Sequence, residues 1–159
     1  RYFDGIASLL GLCDIQHEEA TAAMRLESLA ATRSGRILEG WSVREGLISL
    51  DGILPELLDN PDKAQAAADF HRTVAHALAQ AAVLTQKETG YEGPVAVTGG
   101  CAVNRLLLAG LSEDLKSRGL TIALPRQVPP GDGGLALGQL WLAALAYKAG
   151  QAQYSWRKN

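Results

Sequence analysis

Apolar residues at Tyr2, Phe3, Ile6, Leu9 and Leu10 recur at helical spacing, which predicts a helix over Arg1 to Leu12 that stops near Gly11. A second helical stretch, rich in Ala, Leu and Glu, runs from about Glu18 to Thr32. Between Ser34 and Gly52 the pattern changes to short apolar runs broken by Gly40 and Gly46, which predicts one or two short strands. Ile53 to Leu58 fits a short helix. The turn Asn60-Pro61-Asp62 then leads into a long helix from about Pro61 to Thr89, with Gly90 as its stop.

From there strand and helix patterns alternate. Pro94 to Thr98 is a short apolar strand, Gly99 and Gly100 form a turn, and Asn104 to Ser117 has helical periodicity closed by Gly119. Leu120 to Leu124 is a second strand, Pro125 to Gly134 is a loop dense in Pro and Gly, and Leu135 to about Ala149 is a final apolar helix. Parallel neighbours need connections of about a dozen residues, so this alternation predicts an α/β fold with a parallel or mixed sheet and flanking helices. Residues 1–150 form the expected domain, and residues 151–159 a polar tail expected to fray. The apolar pattern starts at Tyr2 without a capping residue before it, and the chain is read as part of a larger protein.

Composition narrows the function classes. The chain has 159 residues, 47% hydrophobic and 20% charged, enough for one domain with a real core. Its formal net charge of −2 gives no electrostatic reason to expect a nucleic-acid or anionic-membrane partner, so a bound nucleotide would be a small ligand. Cys13 and Cys101 are the only cysteines and form no CxxC pair. Neither a disulfide framework nor a cysteine zinc site is supported, and a cytoplasmic location is expected. No apolar run reaches the roughly eighteen residues of a membrane span.

Two loops carry candidate chemistry. In Thr98-Gly99-Gly100-Cys101-Ala102-Val103-Asn104 the glycines follow a strand and precede a helix, the place where open α/β sheets bind ligands. Backbone N–H groups there can approach an anion, the helix start favours a phosphate, and the Asn104 amide can read a base edge or a ribose hydroxyl. The same residues equally describe a tight strand-to-helix turn with Asn104 as the N-cap. In Pro129-Pro130-Gly131-Asp132-Gly133-Gly134 the flanking glycines let the chain approach whatever Asp132 binds. That carboxylate is either a ligand for a divalent cation shared with phosphates or a cap for the last helix.

Taken together, these segments resemble a known family. Thr98 to Leu108, Arg118-Gly119 and Val128-Pro129-Pro130-Gly131-Asp132-Gly133-Gly134-Leu135-Ala136-Leu137-Gly138-Gln139 resemble the C-terminal region of the HypF carbamoyltransferases. So do Arg1 to Gly11, Ala22 to Ala30 and Phe70-His71-Arg72-Thr73, in the same order. The resemblance implies a lobe of the actin-like ATPase (ribonuclease H-like) type. It also implies that carbamoyl phosphate and ATP are condensed to a carbamoyl-adenylate, whose carbamoyl group passes to the C-terminal cysteine of a HypE-type acceptor for cyanide ligand synthesis in nickel–iron hydrogenase maturation. By the same resemblance Asp4, Gly99, Gly100 and Asn104 contact the nucleotide, and Asp132 ligates a divalent metal (Fe, Zn or Mg). The remainder of a HypF chain would complete the site. The HxxxH pair that the resemblance adds to the metal site does not occur in this sequence, whose histidines are His17, His71 and His76.

The residues also permit a related O-carbamoyl or tRNA threonylcarbamoyl transferase, or a degenerate nucleotide-binding or docking module. His71 is expected to be a hydrogen-bonded structural histidine rather than a catalytic base. Cys101 is expected to be a small buried residue. Trp41, Trp141 and Trp156 are read as packing groups or exposed tail, and Glu18-Glu19 as a solvated helix start.

Overall fold

The long helix is the organising element. Asp62 accepts hydrogen bonds from the Ala64 and Gln65 N–H groups at 3.0 and 3.1 Å, starting a helix that runs Lys63–Thr89 and ends where Gly90 adopts φ +68°. The computed structural model describes residues 1–149. In chain order its helices are α1 (Tyr2–Leu9), α2 (Thr21–Ala30), α3 (Leu54–Asp59), α4 (Lys63–Thr89), α5 (Arg105–Ser117) and α6 (Leu135–Lys148). The strands are β1 (Ser42–Arg44), β2 (Leu47–Ser49), β3 (Val95–Ala96) and β4 (Ile122–Ala123).

Small side chains let neighbours close on α4. Ala66, Ala67, Ala75, Ala77 and Ala79 are fully buried. A Cβ on Gly110 of α5 would lie 3.1 Å from the Ala75 Cβ, so the two helices touch almost backbone to backbone. On another side, residues 34–38 lie along α4. Asp69 accepts from the Arg36 backbone N–H, and Thr73 accepts from the Leu38 N–H. Gly35 is required there, since a Cβ would sit 2.2 Å from the Ala68 carbonyl oxygen. Helix α1 packs on α2, and α2 on α4. Phe70, Leu26, Ile53, Leu57 and Leu115 fill the centre.

The fold is α/β and mostly helical, and its sheet is smaller than expected. Among the described residues there are two separate two-stranded sheets. Strands β1 and β2 form an antiparallel hairpin through Glu45 and Gly46, both at positive φ. Strands β3 and β4 are parallel, with Val95 opposite Ile122 and Ala96 opposite Ala123, and α5 is the crossover between them. The expected strands over residues 94–98 and 120–124 shrink to two residues each. Each has a single neighbour, so only the stretch that forms a ladder counts as strand. The expected tail lies outside the described residues, and so does Trp156. Among the described residues no helix is long and apolar enough to cross a membrane.

Candidate functional site

The two loops singled out by sequence leave the carboxyl ends of the parallel strands and meet. The Pro130 carbonyl accepts from the Gly99 N–H at 2.6 Å and from the Thr98 hydroxyl at 2.8 Å. Gly99 turns at φ +93°, a conformation that disfavours a side chain. Gly131 packs against Gly100, where a Cβ on Gly131 would come within 3.9 Å. A cleft of about 430 Å³ opens beside this junction, lined by Thr98, Gly99, Gly131, Asp132 and Gln139 among others. That volume lies within the range of small-molecule sites.

Asp132 is exposed on this cleft. It starts a short 3-10 turn, and neither that turn nor α6 has a side-chain cap, so the capping alternative for Asp132 is not what the structure forms. Its carboxylate is free of a capping role. Among the described residues no three His, Cys, Asp or Glu side chains cluster as a metal cage. One carboxylate fits an oxygen-preferring cation only where the other ligands come from elsewhere, such as phosphate oxygens, and it is too small a donor set for Zn or Fe.

Asn104 is the N-cap of α5, buried, with its Oδ1 accepting from the Leu107 N–H at 2.9 Å. Its Nδ2 lies 3.0 Å from the His71 Nε2, and the His71 Nδ1 lies 2.7 Å from the Ala67 carbonyl oxygen. His71 is therefore the hydrogen-bonded structural histidine expected, and burial pushes its pKa below the ordinary value. The start of α5 is further occupied by Glu27, whose carboxylate accepts from the Arg105 N–H at 2.7 Å. Two leading N–H groups of α5 are thus already satisfied by protein oxygens. A phosphate at this turn would meet the glycine backbone rather than a bare helix end.

Asp4 stands apart from this pair of loops. It sits in the first turn of α1, ion-paired with Arg1 at 3.1 Å, and lines neither cleft flanking the turn. Its neighbour Phe3 does approach: the ring lies edge-on to His71 at 5.2 Å and lines a second, apolar cleft of about 430 Å³ with Val97, Cys101 and Leu107. Cys101 corrects an expectation. It is exposed, because the 3-10 turn over Gly100–Val103 carries it away from the core. Thr98, Glu27 and the His71–Asn104 contact carry no sequence signal: the partners lie 32, 78 and 33 residues apart.

A family profile described as "Carbamoyltransferase, Kae1-like Domain, second subdomain" matches residues 1–139. The chain belongs to this family. It is 39% identical over 156 residues to the "Carbamoyltransferase HypF homolog" of Cupriavidus necator, covering 91% of this chain and 39% of that protein. It is likewise 39% identical to the "Carbamoyltransferase HypF" of Rhizobium leguminosarum bv. viciae, covering 87% of this chain and 18% of the relative. The chain thus spans well under half the length of these relatives. Among solved structures, HypF of T. kodakarensis superposes with a TM-score of 0.79 at 30% identity, over 93% of this chain and 20% of that one. A full-length HypF in a phosphate- and nucleotide-bound form superposes with a TM-score of 0.76 at 33% identity, over 87% and 19%.

Proposed function

We propose that this chain is the nucleotide-facing lobe of a HypF carbamoyltransferase, of the actin-like ATPase type, and that ATP or its carbamoyl-adenylate sits in the cleft where the Gly99-Gly100 turn meets the Pro129–Gly134 loop. The observation that carries the reading is the double hydrogen bond to the Pro130 carbonyl, which joins two glycine-rich loops at the carboxyl ends of parallel strands. A similar chain has been solved with nucleotide and phosphate bound.

The lobe's own contribution is positioning. The Gly99 N–H is held by the Pro130 carbonyl, so the glycine turn offers a ligand the Gly100 backbone, with no side chain in front of it, and the Pro-Pro segment fixes the second loop against it. Asp132 faces the cleft, where it would hold a divalent cation, of the magnesium kind, together with phosphate oxygens. Such an ion would neutralise phosphate charge. In the full reaction carbamoyl phosphate, ATP and one water give carbamoyl-adenylate, phosphate and pyrophosphate: water cleaves carbamoyl phosphate to carbamate and phosphate, and the carbamate displaces pyrophosphate from ATP. An acceptor thiol of the HypE type would then take the carbamoyl group, giving up its proton and releasing AMP. The rest of a HypF chain would supply the opposite wall, and the acceptor thiol would come from outside this chain.

Calorimetric titration with ATP and Mg²⁺ tests the reading. A Cβ on Gly100 meets no atom within 4 Å, so Gly100→Ala folds normally and intrudes only on a ligand. The expected result is about tenfold weaker ATP binding in Gly100→Ala, on the scale of a small overpacking cost, and loss of metal dependence in Asp132→Asn. ATP binding indifferent to both substitutions would overturn it.

A further inference from the structure

The polar contacts behind the glycine turn form a chain in which each link dictates the next. The Ala67 carbonyl oxygen, 2.7 Å from the His71 Nδ1, can only accept, so Nδ1 carries the ring proton. Nε2 is then a lone pair. It takes a hydrogen from the Asn104 Nδ2 at 3.0 Å, which turns the Asn104 Oδ1 toward the Leu107 N–H at 2.9 Å. We propose that His71 is a positioning residue for the glycine turn, holding Asn104 in the one amide orientation that fastens the turn to α5. The proposal rests on the reading of that turn as the nucleotide site.

Protonated His71 would place N–H against N–H. Asn104 would then have to reverse its amide, and the cap on Leu107 would be lost. The surroundings set when this happens. Burial opposes the charged form and prevails, although the Ala67 carbonyl and the charge of Glu27 on α2 favour it. Phe3 of α1 and Phe70 of α4 stand edge-on to the ring at 5.2 and 5.9 Å and offer no charge. Arg33, Arg72 and Glu113 line a cleft that His71 also borders; Arg33 is paired with Asp62 and Arg72 with Asp114. The turn is therefore locked at neutral pH and loosens on acidification.

The test uses the 159-residue chain and two variants. His71→Phe keeps an aromatic ring against Phe3 but removes the acceptor, whereas His71→Gln offers an amide oxygen in its place. Nitrogen-15 spectra of the ring are expected to show the Nδ1–H tautomer, the reverse of the usual preference of free histidine. Amide exchange at Leu107 is expected to accelerate about fivefold in His71→Phe, the scale of a lost cap, and to return to the wild-type rate in His71→Gln, with ATP affinity changing in parallel. An Nε2–H tautomer, or Leu107 exchange equal in wild type and His71→Phe, overturns the proposal. Should His71→Phe not fold, the wild-type tautomer and a fall in the protection of Leu107 with acidification, its exchange taken relative to the intrinsic rate at each pH, decide it. The expected exchange pattern without ATP binding by any of the three proteins would sink the nucleotide reading while supporting the positioning role. Equal ATP affinity in wild type and His71→Phe would overturn the link between His71 and the nucleotide.

Discussion

Helices α4 and α6 make opposite use of apolar side chains. Nine of the 27 residues of α4 are alanine, yet twelve of its residues are buried. Helix α6 carries five leucines, a tryptophan and a tyrosine in 14 residues and buries none of them. Alanine contributes little apolar transfer energy per residue, but it lets α2, α5 and residues 34–38 approach closely enough to surround the helix. Large side chains distributed all round α6 leave no polar face to mark a solvent side, and within the described residues no second layer covers it. Leu140, Trp141 and Leu142 are each more than 60% exposed. What holds an element in this chain is how many neighbours reach it.

The comparison breaks most sharply at Phe70. This side chain is fully buried where α4 meets α1, with the Phe3 ring edge-on at 5.3 Å. Phe70→Ala is expected to destabilise the chain by about 4 kcal/mol, the transfer and cavity cost of a core aromatic. Chemical denaturation measures it directly. A loss below about 1 kcal/mol would mean that the α4 layer relaxes around the hole and is not a tight centre.

Next in size is the polar seam that ties α5 to α4. Arg72 donates two hydrogen bonds to Asp114 at 2.8 and 2.6 Å, and His76 lies 2.8 Å from the same carboxylate. Burial alone would raise the Asp114 pKa, but the hydrogen bonds and charges of Arg72 and His76 outweigh it and hold the carboxyl below its ordinary value. The folded value is lower than the unfolded one, so this stabilisation is fully present above the ordinary carboxylate pKa. It is lost as pH falls through the folded value. Asp114→Ala is expected to cost about 3 kcal/mol at neutral pH, because it leaves Arg72 half-covered and unpaired. Thermal unfolding across the acid range checks the sign: the variant's Tm should fall less steeply with acidification than that of the wild type.

Much of this architecture was legible residue by residue. The turn Asn60-Pro61-Asp62 and Gly90 announced both ends of α4, which starts at Lys63 rather than Pro61 because the Asp62 side chain is its cap; Gly119 announced the end of α5, and the two glycine-rich loops the place where the strands open. What escaped was long-range. The strands shortened because a two-residue parallel pair needs further strands to extend its ladder, and nothing in Val95–Ala96 says how many will come. Asn104 was legible as a cap, whereas its tie to His71 depends on the crossing of α4 and α5. The Pro130 carbonyl that joins the loops is a backbone group, which no side-chain pattern can flag. Cys101 was expected inside on its residue type, and the local 3-10 turn carried it out. Glycine approaches such as Gly35 on Ala68 likewise become visible only when α4 is in place.

The smallest expected effect is at α6, and it sharpens the contrast with α4. Leu140 and Trp141 are each 66% exposed, so Leu140→Ser and Trp141→Ser remove little buried area from this chain. Each is expected to change unfolding free energy by less than about 0.5 kcal/mol, the range of surface substitutions, although both residues are larger than any alanine of α4. Serine also lowers helix propensity slightly, by a few tenths of a kcal/mol against leucine, which sets the sign of the remaining change as destabilising. Denaturation midpoints of the two variants against that of Ala75→Ser, which places a hydroxyl at the closest point of the α4–α5 crossing, give the critical ordering. If the α6 variants lost more stability than Ala75→Ser, side-chain size rather than enclosure would govern this chain, and the contrast between the two helices would fail.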